Sequence, residues 1–246
     1  RIQFVFAGML RSQLRRSVPT LWSFPISQPA RTVEWACRYE GLEVNMVSTM
    51  PTNKKGAGTA GEEFRATSPL WTIPRLEHDG LVLSECPAIL TYLGETFNWK
   101  LWPQDRVSKA KVNQYLHWQH TNTRLISTTL FAPVVRRDKK FVPEVLEQQK
   151  AAIPGALGIV ELWLGQHKWL CSDEPTVADL SLYGEVGQCL DKYCGLFGLH
   201  GIDMNEYPNL QKWAVACASL PGYEESHQPL KEASPRIRKA AERMIK

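Results

Sequence analysis

Three places in this 246-residue chain put chemically capable side chains where a backbone can assist them. Ser27 stands two residues before Pro29, at the head of a helical pattern, so its hydroxyl shares a helix N-terminus with the positive partial charge of the exposed N–H groups. A hydroxyl there can hydrogen-bond an anion and favour it over its protonated form; it can equally serve as the helix's own N-cap. Glu85 and Cys86 open a second helix, where an acid is favourable to the dipole and a thiol is only a weak donor. Arg124 closes the run YLHWQHTNTR (115–124), in which Trp118 reads best as a core-facing aromatic. Lys54 and Lys55 sit in a polar, glycine-rich loop, where solvation is the ordinary fate of a lysine. His117 and His120 lie three apart on one helix face with no third ligand in sight, and six cysteines form no CxxC pair or His/Cys ligand spacing. That argues against structural zinc and for reduced thiols inside a cell.

The elements that must hold these residues follow from periodicity and punctuation. Leu21–Phe24 alternates as a strand. Pro29 enters a helix with Val33, Ala36 and Cys37 on its apolar face and Gly41 near its end, and Val44–Val47 returns as a strand parallel to the first. Residues 51–61 are loop and residues 62–66 one helical turn. Between Ser68 and Phe97 the order is strand, tight turn, strand, helix. His78-Asp79-Gly80 is the hairpin signal, Ser84 the expected N-cap, and Pro87 suits the first turn. Pro74 just before a strand is either an edge residue or a cis proline, and the cis form is expected here. Beyond residues 98–105, a linker, helical periods take over. One long helix is expected from Val107 to Val135, broken by Pro133, and another from Val145 to Gln166 with a kink or break at Pro154-Gly155. Thr176 with Asp179 three residues on is a capping box, and Tyr207–Leu220 is a further core helix.

A cis proline before a hairpin, followed by a glutamate opening a helix, resembles the glutathione-binding half of a thioredoxin-fold glutathione transferase. The segments LWSFPISQPAR (21–31), WPQD (102–105) and YLHWQHTNTR extend the resemblance over roughly residues 20–220, and the last two resemble the theta class most closely. The resemblance implies a thioredoxin-like α/β domain over 20–97 and an all-α domain over 106–222. It implies glutathione as co-substrate, a small electrophile as its target, and usually a homodimer. Ser27 matches the serine that holds the glutathione thiolate. Glu85 and Cys86 match the pair that holds the γ-glutamyl end, and Ile73 and Pro74 would offer backbone groups to the cysteinyl part. Lys54 or Lys55 would meet the glycyl carboxylate, and Arg124 matches an arginine near the thiol. Two departures stand out: Cys86 replaces a serine hydroxyl, and the loop over 51–61 is longer and lacks a histidine.

Those departures, with two basic chain ends, also support a different reading: a structural or adaptor subunit of a larger assembly with weak or lost activity. Residues 1–20 carry four arginines and no acid, and residues 230–246 carry six bases and two acids, so the formal charge of +4 hides a mildly acidic body. An acidic body is unlike a nucleic-acid binder, which needs a clustered basic face. No apolar run approaches the ~20 residues of a membrane span. Residues 1–19, basic and acid-free with Ile2, Phe6, Met9 and Leu10 on one helical face, have the composition of a mitochondrial presequence, or are simply a basic extension. Residues 223–246 are expected as a basic tail.

Overall fold

The computed structural model describes residues 17–68 and 70–245; of the presequence-like stretch read over residues 1–19, residues 1–16 lie outside the described residues. Strands β1 (Thr20–Ser23), β2 (Asn45–Ser48), β3 (Arg75–His78) and β4 (Leu81–Ser84) form one sheet in the order β2-β1-β3-β4. β2 runs parallel to β1 with Leu21 opposite Met46, while β3 is antiparallel to both β1 and β4. Helix α1 (Gln28–Tyr39) makes the crossover between the parallel strands. The β3–β4 turn consists of Asp79 and Gly80, both at positive φ (47° and 82°), the twist-matched geometry of a two-residue hairpin. Short α2 (Glu62–Thr67) is mounted on the sheet by Arg75. The Arg75 guanidinium lies over both the Trp22 and Phe64 rings, which meet edge-on, and donates to Phe64 O and Thr67 Oγ1. Ile73-Pro74 is cis, as expected.

The cap of helix α3 (Cys86–Phe97) falls one residue later than expected. Ser84 is the last residue of β4, paired with Arg75, and Glu85 takes the N-cap position with φ 74°. The strand hydrogen bonds claim Ser84 before the helix can.

The helical half is α4 (Arg106–Trp118), α5 (Ala132–Val135), α6 (Pro143–Leu164), α7 (Val177–Gly187), α8 (Leu196–Leu199), α9 (Pro208–Cys217) and α10 (Tyr223–Ile245). The single helix expected over 107–135 is interrupted at Asn122, not at Pro133. Asn122 Nδ2 donates to Trp118 O at 2.8 Å and its backbone leaves the helical region (φ −126°, ψ −94°), the side-chain competition that asparagine offers a helix. After it Ile126–Phe131 forms a widened π turn, and Pro133 sits in the first turn of α5, where its missing N–H is harmless. Helix α6 runs through Pro154 without ending, because Ile153, Leu157 and Val160 bury one face on either side of it.

Helix α7 is buried along its whole length and carries the expected capping box. Thr176 N donates to Asp179 Oδ2 at 2.9 Å, and Asp179 Oδ1 accepts from Leu170 N and Trp213 Nε1, both at 2.8 Å. Gly184 lets α1 lie directly against α7: a Cβ there would stand 2.4 Å from Thr32 Oγ1 and 2.6 Å from Gln28 Nε2. The expected basic tail is instead α10, whose inner face (Tyr223, His227, Leu230, Ile237) is buried. Trp35 of α1 packs edge-on against Tyr183, Tyr223 and His227, and the Tyr183 and Tyr193 hydroxyls both meet that of Tyr223 at 2.6 and 2.7 Å. The sequence showed the helix's basic outer positions; its aromatic start supplies the anchoring.

Candidate functional site

Helix α1 has no side-chain cap. Ser27 occupies the N-cap position (φ −70°, ψ 114°), its N–H donates to Phe24 O at 2.8 Å and its carbonyl accepts from Arg31 N at 2.9 Å, but its hydroxyl bonds none of the helix's N–H groups. The ordinary structural use of such a serine is therefore unfilled. Next to it, Gln28 and Pro29 line a cavity of about 150 Å³ between the two halves of the chain. The same wall includes Thr72, Ile73, Pro74, Glu85, Cys86 and Pro87, so the cis proline and the head of α3 converge on the head of α1. Two helix N-termini and the strand-entry backbone are thus directed at one small volume, the arrangement that receives anions.

The helical half closes the cavity with Gln119, His120, Arg124, Ser181 and Glu185, none of them apolar. Arg124 donates to Gln28 Oε1 and, at 3.1 Å, to Glu185 Oε1, so one guanidinium joins α1 to α7 across the cavity floor. Burial pushes the Glu185 carboxyl up, and Arg124 and then Ser127 pull it back. Glu185 in turn raises Arg124 further above its usual range. The Cys86 thiol is also pushed up by burial, with Arg124 acting the other way, so it stays protonated at neutral pH.

Of the residues singled out in the sequence, Ile73, Pro74, Glu85, Cys86 and Arg124 line this cavity, and Ser27 adjoins it through Gln28. Lys54 and Lys55 do not: both are exposed, on a loop tied to the helical half where Asn53 N donates to Asp138 Oδ2 at 2.9 Å. Among the described residues His117 and His120 belong to no metal-binding cluster, and no helix is long and apolar enough to cross a membrane. Sequence reasoning missed Gln28, Gln119, Ser181 and Glu185. The one available signal was Ser181 and Glu185 spaced four apart beyond the capping residues of a mostly apolar helix. A second cavity of similar volume, between α4 and the end of α6, is lined by Lys111, Trp163, His167 and Cys171 and contains none of the expected residues.

Known proteins share this architecture. Residues 21–101 match the N-terminal domain of glutathione S-transferases and residues 123–221 the C-terminal domain. The chain is 28% identical to glutathione S-transferase theta-3 of Mus musculus over 221 residues, 85% of this chain and 86% of that protein. It is 25% identical to glutathione S-transferase D7 of Drosophila melanogaster over 218 residues, 86% of this chain and 90% of that protein. Among solved structures, glutathione S-transferase unclassified 2 from Bombyx mori superposes with a TM-score of 0.74 at 25% identity, covering 94% of this chain and all of that one. A delta-class glutathione transferase of Nilaparvata lugens shares the fold with a TM-score of 0.74 at 24% identity, covering 91% and 99%.

Proposed function

Because the chain belongs to the glutathione S-transferase family, an enzyme family that uses glutathione, we propose that it is a theta-like member in which Ser27 activates the thiol. The observation that carries this reading is the uncapped head of α1. Ser27 stands at the helix N-terminus with its hydroxyl unused by the helix, beside a cavity bounded by Pro74, Glu85, Cys86 and Arg124. A free thiol near its ordinary pKa of ~8.5 is mostly protonated at neutral pH. A donated hydroxyl hydrogen bond and the helix's positive partial charge both favour the thiolate, which then attacks an electrophilic carbon of the second substrate, forming the carbon–sulfur bond as the leaving group departs with the electron pair of the bond it breaks. Glu85 would meet the α-amino group of the γ-glutamyl end, and the N-terminus of α3 its carboxylate. Ile73 and Pro74 would present backbone groups to the cysteinyl part.

Lys54 and Lys55 contribute to the glycyl carboxylate only if their loop closes over the cavity. The adaptor reading has less to rest on, since the inner face of α10 is occupied by this chain's own core. Ser27→Ala is expected to lower turnover about ten- to a hundredfold, at or below the low end of the range for a positioned acid or base because the hydroxyl only donates a hydrogen bond, with folding and glutathione binding retained. Steady-state kinetics with glutathione and a chromogenic electrophile decides it. An unchanged rate would leave Ser27 as a plain helix-start residue.

A further inference from the structure

Behind the cavity, between α1 and α7, one carboxylate stands in the field of two guanidinium groups and is contacted by only one of them. Arg124 and Glu185 are the contacting pair, at 3.1 Å. The second cation is Arg31, one turn into α1 from Ser27 and 1% exposed. Its hydrogen bonds go to uncharged oxygens. Nη1 reaches Pro25 O and Ile26 O, Nη2 reaches Gln188 Oε1, each at 3.5 Å, and Nε has no partner among the described residues. Gln188 adds no charge; its amide passes on to Ser127 Oγ at 2.5 Å.

The titratable groups that face Arg31 from the neighbouring elements supply no second anion. Burial pushes up Tyr183 and Glu185 of α7, Cys189, Tyr193 and Cys194 just beyond it, and Tyr223 of α10. His227 of α10 is held down to about 3, by burial first and then by Arg31, and is neutral. Glu185 is held by Arg124, and Glu85, on the cavity wall, acts at longer range on Arg124 and not on Arg31. Arg31 therefore keeps a positive charge away from water with no carboxylate in contact, which is costly until an anion arrives to balance it.

We propose that Arg31 is a positioning residue: it holds the Pro25 and Ile26 carbonyls inward beneath Ser27, and the thiolate of bound glutathione is the anion that completes its cluster. The inference rests on the Ser27 reading above and extends it from one hydroxyl to a buried charge that acts on the same sulfur. It also accounts for a guanidinium kept in the interior without a contacting acid, which packing alone would exchange for an apolar side chain.

The test is a pH titration of protein-bound glutathione followed by the ultraviolet absorbance of the thiolate, with thermal denaturation as the check on folding. Arg31→Met is expected to raise the midpoint of thiolate formation by about one unit, a tenfold smaller thiolate-to-thiol ratio at neutral pH. Arg31→Lys, which keeps the charge, is expected to raise it less. Glu185→Gln removes the shared anion, leaves the excess charge larger, and is expected to lower the midpoint. General damage to packing would move all three the same way. The proposal is overturned if folded Arg31→Met titrates as the wild type does, or if Arg31→Met and Glu185→Gln shift in the same direction. Should Arg31→Met fail to fold, Glu185→Gln decides alone: a midpoint unchanged or raised sinks the proposal. Wild-type protein that binds no glutathione, or binds it without easing its ionisation, would defeat the Ser27 reading itself; easier ionisation that ignores Arg31 and Glu185 would defeat only this inference.

Discussion

Glu85 holds a backbone conformation (φ 74°, ψ 117°) that a non-glycine residue keeps at a cost of about 1–3 kcal/mol, and it does so at the edge of the cavity. Strain there aims the first N–H groups of α3 into the site. The next residue, Cys86, is 6% exposed and remains a thiol, so the position where the resemblance implies a hydroxyl offers only a weak donor. Cys86→Ser is therefore expected to tighten glutathione binding by about two- to tenfold, the worth of one ordinary hydrogen bond. Calorimetric titration reads it directly, and weaker binding by the serine variant would mean that this side chain does not face the ligand. Both positions could be picked out in the sequence because they open a helix after a hairpin. The partners of Arg124 were not picked out: a glutamine beside a serine carries no local signature, and for Glu185 the only signal was its four-residue spacing from Ser181.

At the scale of elements, α10 determines how the two halves of the chain meet. His227 stacks on Tyr223 at 4.3 Å, its Nδ1 meets Tyr223 O at 2.9 Å, and burial holds its pKa at about 3 against an ordinary 6.5. Between those values the unfolded chain binds a proton that the folded one refuses. His227 therefore costs stability progressively as pH falls below about 6.5 and costs nothing above it. The expected slope from this group is about 1.4 kcal/mol per pH unit at most. Comparing urea midpoints of wild type and His227→Phe from pH 7 to 5 isolates it from the buried carboxyls. The wild type should lose stability faster on acidification, and parallel curves would show that His227 is protonated or exposed in the folded protein. The basic character of residues 223–246 was visible in the sequence as a tail. That α10 begins at Tyr223 and reaches α1 depends on Trp35 and Tyr183, far away along the chain.

For the molecule as a whole, the family is usually dimeric, and large apolar side chains are uncovered in both halves of this chain: Leu81 and Val82 on β4, and Val107, 68% exposed, at the start of α4. We expect a two-fold homodimer that covers them. Light scattering on the full chain should give twice the mass of 27.9 kDa, and a monomer mass at micromolar concentration would overturn the expectation. Charge at one of these positions, Val107→Glu, is expected to shift the equilibrium toward monomer.

The alternation of strands, the Asp79-Gly80 turn, the proline at the head of α1 and the capping box of Thr176 and Asp179 are short-range signals, legible in the sequence because the physics behind each spans four residues or fewer. They set the strands, the hairpin and the helix starts, while the two-domain fold and the grouping of Pro74, Glu85 and Cys86 with Ser27 were implied by the resemblance to glutathione transferases. The interruption at Asn122 was missed because asparagine's competition for a helix carbonyl depends on which carbonyls the tertiary packing leaves free. The cavity's other wall and the shared charges of Arg31, Arg124 and Glu185 were decided only when Gly184 let α1 and α7 come into contact, since a long-range approach between helices sets which buried charges have partners and which do not.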